Sequence, residues 1–239
     1  AERAVKLAQD AGFTNINLDL MYALPGQSAA MALADLERAI ALAPAHLSHY
    51  QLTLEEGTPF ARQPPAGIPE GDTAWDMQEA CQARLAQAGF AQYEVSAYAR
   101  EGRQCAHNLN YWRFGDYLGI GAGAHGKITL PSRDAILRRW KLKHPKTYMD
   151  AAGSIARIGG DECLANERRP FDYMLNALRL REGFALSDFE ARTGLARESI
   201  AATLETLVGR GLLESREGRV RPSDLGWRFL NDAMEAFLP

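Results

Sequence analysis

The feature that most constrains this chain is a hydrophobic period that switches between helical and strand spacing along its first hundred residues. Ala1–Gly12 places Ala4, Leu7 and Ala8 on one helical face, and Gly12 stops it. Asn15–Ala23 alternates as a strand through Ile16, Leu18 and Leu20, and Pro25-Gly26 ends it. Ala29–Ala43 returns to spacings of three and four with Leu33, Leu36 and Ile40, and Pro44 stops it. His46–Leu54 is the next strand. A loop rich in Pro and Gly follows over Gly57–Gly71, and a helix capped by Asp72 or Thr73 runs to Gly89. Tyr93–Tyr98 is the third strand. Strands alternating with helices of this length predict an α/β fold of parallel βα units. Functional loops then fall at the carboxyl ends of the strands, here Ala23–Ser28, Leu54–Thr58 and Ala99–Trp112. The stretch Tyr117–Lys127, Y-L-G-I-G-A-G-A-H-G-K, predicts a short Gly-rich strand that another backbone or a ligand approaches closely.

The pattern changes near Asn166. Arg168–Arg181 is an amphipathic helix with Phe171, Met174, Leu175 and Leu178 apolar. Ser187 caps a short helix ending at Gly194, and Arg197–Arg210 is the next helix. Gly211–Arg221 predicts a hairpin around Glu217-Gly218, and Ser223–Phe237 a last helix. Three helices, a hairpin and a helix make a winged-helix pattern. Residues 133–165 mix basic residues, Gly and Pro and read as a linker. The expected division is 1–132, a linker over 133–165, and a small α+β unit over 166–239.

Charge and cysteine usage narrow the function classes. Lys+Arg total 27 and Asp+Glu 30, a net charge of -3 that gives no electrostatic reason to expect nucleic acid or an anionic membrane as main partner. A winged helix still raises a DNA-binding regulator. Its recognition region, Leu186–Arg210, sets Asp188, Glu190, Glu198 and Glu205 against Arg192, Arg197 and Arg210, a poor surface for phosphates. No apolar run is long enough to span a bilayer, and no secretory signal pattern is present. Cys81, Cys105 and Cys163 are odd in number and widely spaced. They read as reduced thiols of a cytoplasmic protein rather than as a disulfide framework or metal motif. The first residue is Ala1, and a helix already in mid-flow there suggests a natural protein that begins further upstream.

The densest cluster of chemistry-bearing residues is Cys105–Trp112, C-A-H-N-L-N-Y-W. His107 offers an imidazole, Asn108 and Asn110 offer amides, and Tyr111 and Trp112 offer flat aromatic faces. A neutral imidazole is a good axial ligand for haem iron, and aromatic rings can lie against a porphyrin. A histidine and asparagine that satisfy loop backbone groups is the commoner meaning of such a cluster taken alone. Gly119–Gly126 is not a phosphate-binding P-loop, because the Lys-Ser/Thr ending and following helix are missing. Tight strand packing explains it better, with His125 structural. Asp19 is an acid within an apolar strand, so it needs a partner: a ligand hydroxyl or amine, a buried Arg, or a backbone amide. Glu55 and Glu56 stand at the next strand end, where solvated loop carboxylates are the common case.

Five blocks in order, L-D-L-M-Y-A-L-P-G-Q, L-S-H-Y-Q-L-T-L-E-E-G-T-P, Y-E-V-S-A-Y-A-R, H-N-L-N-Y-W and Y-L-G-I-G-A-G-A-H-G, closely resemble the HemW family. That family is related to the oxygen-independent coproporphyrinogen III oxidases, and the likeness runs through nearly the whole chain. It implies the later part of a partial (β/α) radical S-adenosylmethionine (SAM) barrel over residues 1 to about 130, followed by the winged-helix-like unit. It implies a haem chaperone that binds haem and delivers it to respiratory membrane proteins, with membrane association through the partner. The family's haem pattern H-N-x-x-Y falls on His107, Asn108 and Tyr111, with His107 on the iron. By the same likeness Asp19 reaches SAM, through the ribose hydroxyls, and the backbone at Gly121 approaches it. The family also holds a [4Fe–4S] cluster through C-x-x-x-C-x-F-C, a spacing that does not occur here. The chain as it stands is therefore expected to lack the cluster and reductive SAM cleavage. It is also expected to expose a sheet edge and be marginal without a companion piece. The alternative activity is anaerobic oxidative decarboxylation of coproporphyrinogen III.

Overall fold

In the computed structural model, which describes residues 1–239, helix α1 (Glu2–Asp10) leads into strand β1 (Asn17–Tyr22). Helix α2 (Ala29–Ala41) then returns the chain to strand β2 (His46–Gln51), which pairs with β1 in parallel from Asn17↔His46 to Tyr22↔Gln51. Ser28 starts α2, its hydroxyl accepting from the Met31 amide at 3.3 Å. One face of α2 buries Ala32, Leu36 and Ala39. After the short helix α3 (Pro59–Arg62), helix α4 (Gly71–Gln87) buries Ala74, Met77, Cys81 and Leu85 at the same three-and-four spacing. These side chains close over Leu47, Tyr22, Phe90 and Tyr98 as one core. Leu36, Leu47, Met77 and Leu85 are fully buried, so truncating any of the leucines to Ala costs about 2–5 kcal/mol.

The expected third parallel strand, Tyr93–Tyr98, is instead an antiparallel hairpin of β3 (Ala91–Glu94) and β4 (Ala97–Ala99) turning at Val95-Ser96. β4 runs antiparallel to β2, and the sheet order is β1-β2-β4-β3, with β1 at an edge. The turn is held by side chains. Glu94 accepts from the Ser96 amide at 3.0 Å, and Gln92 donates to the Val95 carbonyl at 3.1 Å. An irregularity between Gln92 and Glu94 absorbs the mismatch.

The chain divides into two compact units, Ala1–Cys105 and Ala106–Pro239. The second opens with helix α5 (Ala106–Trp112) and a meander of β5 (His125–Leu130), β6 (Ala135–Lys141), helix α6 (Pro145–Asp150) and β7 (Ile158–Cys163), in sheet order β5-β6-β7. Residues 133–165, expected as a linker, thus carry two of the sheet's three strands. Only Ile136 of β6 is buried, which is why alternation there is faint in the sequence. Helix α7 (Arg169–Ala177), strand β8 (Phe184–Ala185), helices α8 (Leu186–Thr193) and α9 (Glu198–Gly209), and strands β9 (Leu213–Arg216) and β10 (Arg219–Pro222) follow, with sheet order β8-β10-β9. The expected last helix breaks at Phe229 into α10 (Asp224–Arg228) and α11 (Leu230–Glu235). Phe114, Ile136 and Leu164 join Tyr173, Leu178, Phe189, Leu207 and Met234 in one core. Arg169 is buried and fastens the β5–β6 turn, donating to Asp134 Oδ1 at 2.9 Å and to the Asp134 carbonyl at 2.6 Å.

Candidate functional site

His107, Asn108 and Tyr111 lie on helix α5, not in the loop that the sequence suggested. His107 and Tyr111 are four residues apart and so share a helix face. Their rings meet edge to face with centroids 4.7 Å apart, and Tyr111 meets Tyr117 the same way at 4.5 Å. His107 is the exposed end of this aromatic row, while Tyr111 and Tyr117 are half-buried. Burial and the neighbouring Tyr111 push the Tyr117 hydroxyl above its ordinary pKa.

A seven-residue helix of such middling formers does not stand alone, and its C-terminal end is fastened from several sides. The Gly115 amide donates to the Asn110 carbonyl at 2.7 Å, and Asn110 Nδ2 donates to the Asp116 carbonyl at 3.0 Å. A Cβ on Gly115 would fall 2.1 Å from Asn110 Oδ1, so this close return requires glycine. Lys127, buried in β5, donates to the Phe114 carbonyl at 3.0 Å and to Asp116 Oδ1 at 2.8 Å. Burial pushes the Lys127 ammonium below its ordinary pKa, against the pull of Asp116. Burial opposes the Asp116 charge too, but hydrogen bonds from Lys127 and Thr129 hold that carboxyl below the usual range. Trp112 lies under the Arg179 guanidinium, 4.3 Å from the ring centroid. The outcome is a rigidly held helix that presents one exposed imidazole beside aromatic rings, an arrangement that fits an axial ligand to haem iron.

Asp19 lies in the first unit. It is exposed on the edge strand β1, a correction to the buried acid expected from its apolar neighbours. Leu18 and Leu20 turn to the core, whereas Asn17 and Asp19 share the opposite face. That face carries a chain of hydrogen bonds that no local pattern encodes, because its members are up to 88 residues apart, from Asn17 to Cys105. The Cys105 amide donates to Tyr93 Oη at 3.4 Å, Tyr93 Oη meets His46 Nε2 at 2.9 Å, and His46 Nδ1 meets Asn17 Oδ1 at 2.6 Å. Asn17 Nδ2 then donates to Asp19 Oδ1 at 2.8 Å. A carboxylate only accepts, so Asn17 Nδ2 donates to Asp19, Asn17 Oδ1 accepts, and His46 Nδ1 carries a proton. Burial pushes the His46 pKa down, which favours the neutral ring. Asp19 also lines an open groove of about 660 Å³ with Leu20, Met21 and Arg38.

Gly121 is in the second unit, at φ +106, with no atom within 4 Å of where a Cβ would stand. Its amide donates to Tyr148 Oη at 3.3 Å. The Gly-rich stretch around it is a turn rather than the expected strand. Tyr117 and Lys127 form an isolated antiparallel bridge; a Cβ on Gly119 would collide with the His125 carbonyl at 2.3 Å, and one on Gly126 would press on the Gly119 amide at 3.0 Å. The close approach read from these glycines is therefore the chain meeting itself. The three cysteines do not converge. Cys81 is buried in α4, Cys105 precedes α5, and Cys163 is exposed at the end of β7. No group of three metal-binding side chains forms, so the residues present do not fit an iron–sulfur cluster. No helix is long and apolar enough to cross a membrane.

The comparisons with known proteins agree with this architecture. The family of the HemN C-terminal domain matches residues 164–229, the winged-helix unit. The structure of coproporphyrinogen III oxidase (HemN) from Escherichia coli, a radical SAM enzyme, superposes with a TM-score of 0.76 over 99% of this chain and 57% of its own, at 21% identity. The fold is therefore that of the later part of a HemN-type radical SAM protein. The haem chaperone HemW of Escherichia coli is 44% identical over all of this chain and 61% of its own length. HemW of Mycobacterium tuberculosis is 37% identical over 97% of this chain and 58% of its own. The chain is similar to these haem chaperones along nearly its whole length and spans about three fifths of theirs.

Proposed function

We propose that this chain is the haem-binding part of a haem chaperone, with His107 as the iron ligand. The observation that carries the reading is the exposed His107 imidazole, set edge-on to Tyr111 on a helix fixed at its far end by Lys127 and Asp116. The relatives named haem chaperones support it. Haem is the cargo, and the chain's own residues hold it. His107 supplies a ring nitrogen, Tyr111 walls one side, and Asn108 stands beside them on the next helical row. Delivery to respiratory membrane proteins from the cytoplasm completes the proposed role. Asp19 and the backbone at Gly121 are proposed to hold SAM, Asp19 by accepting from ribose hydroxyls.

The test is a haemin titration of this chain and of His107→Ala, followed by visible absorption. A saturable, sharpened Soret band that depends on His107 is the expected result. Equal spectra from the two proteins would remove His107 from the role.

A further inference from the structure

Next to the His107–Tyr111 row, helix α5 carries a second row, Asn108 and Trp112, again four residues apart. Trp112 lies five positions beyond His107, about 7.5 Å along the helix axis. There it forms part of the wall of a cavity of about 430 Å³ that lies wholly within the second unit. Tyr173 and Phe184 extend the aromatic wall, and Arg113, Arg192 and Arg219 line the rest with Glu182 and Asp188.

The charges are not matched inside this cavity. Glu182 is satisfied twice over: its carboxylate takes Arg113 at 2.9 Å and its carbonyl takes Arg219 at 3.2 Å. Asp188 accepts from the Ala185 amide at 3.4 Å at the start of α8. Arg192 stands one turn further along α8 and closes no ion pair with it. Its positive charge is felt by both Tyr173 and Lys127. The indole Nε1–H of Trp112 is buried without a hydrogen-bond partner. Indole nitrogen can only donate, so an orphan there asks for an acceptor. An unpaired guanidinium and an aromatic wall in one cavity, one of whose lining residues, Trp112, also carries an orphan N–H, ask for a flat ligand bearing a carboxylate.

We propose that this cavity receives the carboxylate edge of a porphyrin, with Arg192 and Arg219 facing the propionates and Trp112 against the ring. The inference rests on the haem reading of His107 and gives that site its second anchor. His107 would hold the metal, and the cavity at the other end of α5 would set the orientation of the macrocycle. Two anchors on one short helix would distinguish a propionate-bearing porphyrin from a neutral one, which a single iron ligand does not do.

The test compares haemin with haemin dimethyl ester, whose carboxylates are blocked, on the wild-type chain and on a variant carrying Arg192→Gln and Arg219→Gln. The wild type is expected to bind haemin about ten-fold or more tightly than the ester, and the double variant to lose that preference while keeping the His107-dependent Soret band. Equal affinity of the wild type for haemin and ester would overturn the cavity assignment and leave His107 standing. If no His107-dependent band appears with either ligand, the haem reading itself fails. Metal-free mesoporphyrin IX then decides for the cavity, read by its own fluorescence, because it cannot use an iron ligand. Binding weakened by the double variant supports the assignment; binding that the variant leaves unchanged, or no binding, overturns it.

Discussion

In the first unit two histidines of one strand are buried, and in the second unit the histidine of α5 is exposed. Alternation along β2 sends His46 to the polar face and His49 to the apolar one. His46 is held at both ring nitrogens, by Asn17 and Tyr93. His49 stacks on Tyr22 with centroids 4.6 Å apart, and its Nδ1 is buried with no partner. Burial pushes both pKa values down, that of His49 to about 4. His107 has none of these constraints: it meets only the edge of Tyr111 and is otherwise open. The three residues are chemically identical, so surroundings alone separate two structural imidazoles from one that can accept a metal.

The largest expected effect separates the two roles outright. His107→Ala should abolish the His107-dependent haemin spectrum and shift the stability of the chain by no more than about 0.5 kcal/mol, as for exposed substitutions generally. Absorption and thermal melting of the same samples check both halves. A large loss of stability would place His107 with His46 and His49, and the contrast would collapse.

Acid should strike the buried pair next. Between pH 6.5 and 4 an unfolded chain protonates a histidine that folded His49 leaves neutral. Stability is therefore complete above pH 6.5 and falls as the pH drops toward 4, by about 3 kcal/mol for a shift of this size. His46 is displaced in the same direction and adds to the loss. Chemical denaturation at pH 7 and at pH 4.5 measures it. His49→Phe keeps the stacked ring, removes the titrating group and should shrink the difference. An unchanged difference would mean that carboxylates elsewhere set the acid limb.

Much of this contrast was hidden from the sequence, and the reasons are physical. The β1–α2–β2 unit was legible because Leu18, Leu20, Leu33, Leu36 and Ile40 keep their periods, and each faces a real core. The winged unit was legible for the same reason. H-N-x-x-Y was legible as a motif, but its helix was not, since α5 owes its form to Gly115, Lys127 and Asp116 rather than to local propensity. The β3–β4 hairpin was missed because Val95-Ser96 has no Gly or Asn to announce a turn. Strands β6 and β7 were missed because most of their side chains are only partly covered, so burial imposes no clean alternation. The partner of Asp19 was missed because Asn17, two residues away on the polar face of β1, was read only as part of an apolar strand. The Asn17–His46–Tyr93–Cys105 chain and the Trp112 cavity join positions far apart in sequence, and no local pattern encodes either.

A smaller effect should come from the hydrogen-bond chain of the first unit. Tyr93→Phe keeps the ring and removes the hydroxyl that links His46 Nε2 to the Cys105 amide. Two polar groups in a largely buried place then lose a partner, at a cost of about 1–2 kcal/mol. Denaturation of this variant checks it, and its haemin spectrum should match the wild type. A changed spectrum would show that the Cys105 end of the chain reaches the helix that follows it.

The smallest expected effect is the most discriminating for the haem reading. His125 is also an exposed histidine of the second unit, stacked on Trp140 with centroids 6.2 Å apart. Haemin binds surface imidazoles adventitiously, so a band lost in His107→Ala alone does not prove a built site unless another exposed imidazole beside an aromatic ring fails to replace it. His125→Ala should leave both the spectrum and the stability unchanged, within about 0.5 kcal/mol for the latter. If it removed as much of the band as His107→Ala does, exposure beside any aromatic ring would be sufficient. The fixed geometry of α5, and with it the second anchor at Trp112, would then have no part in binding.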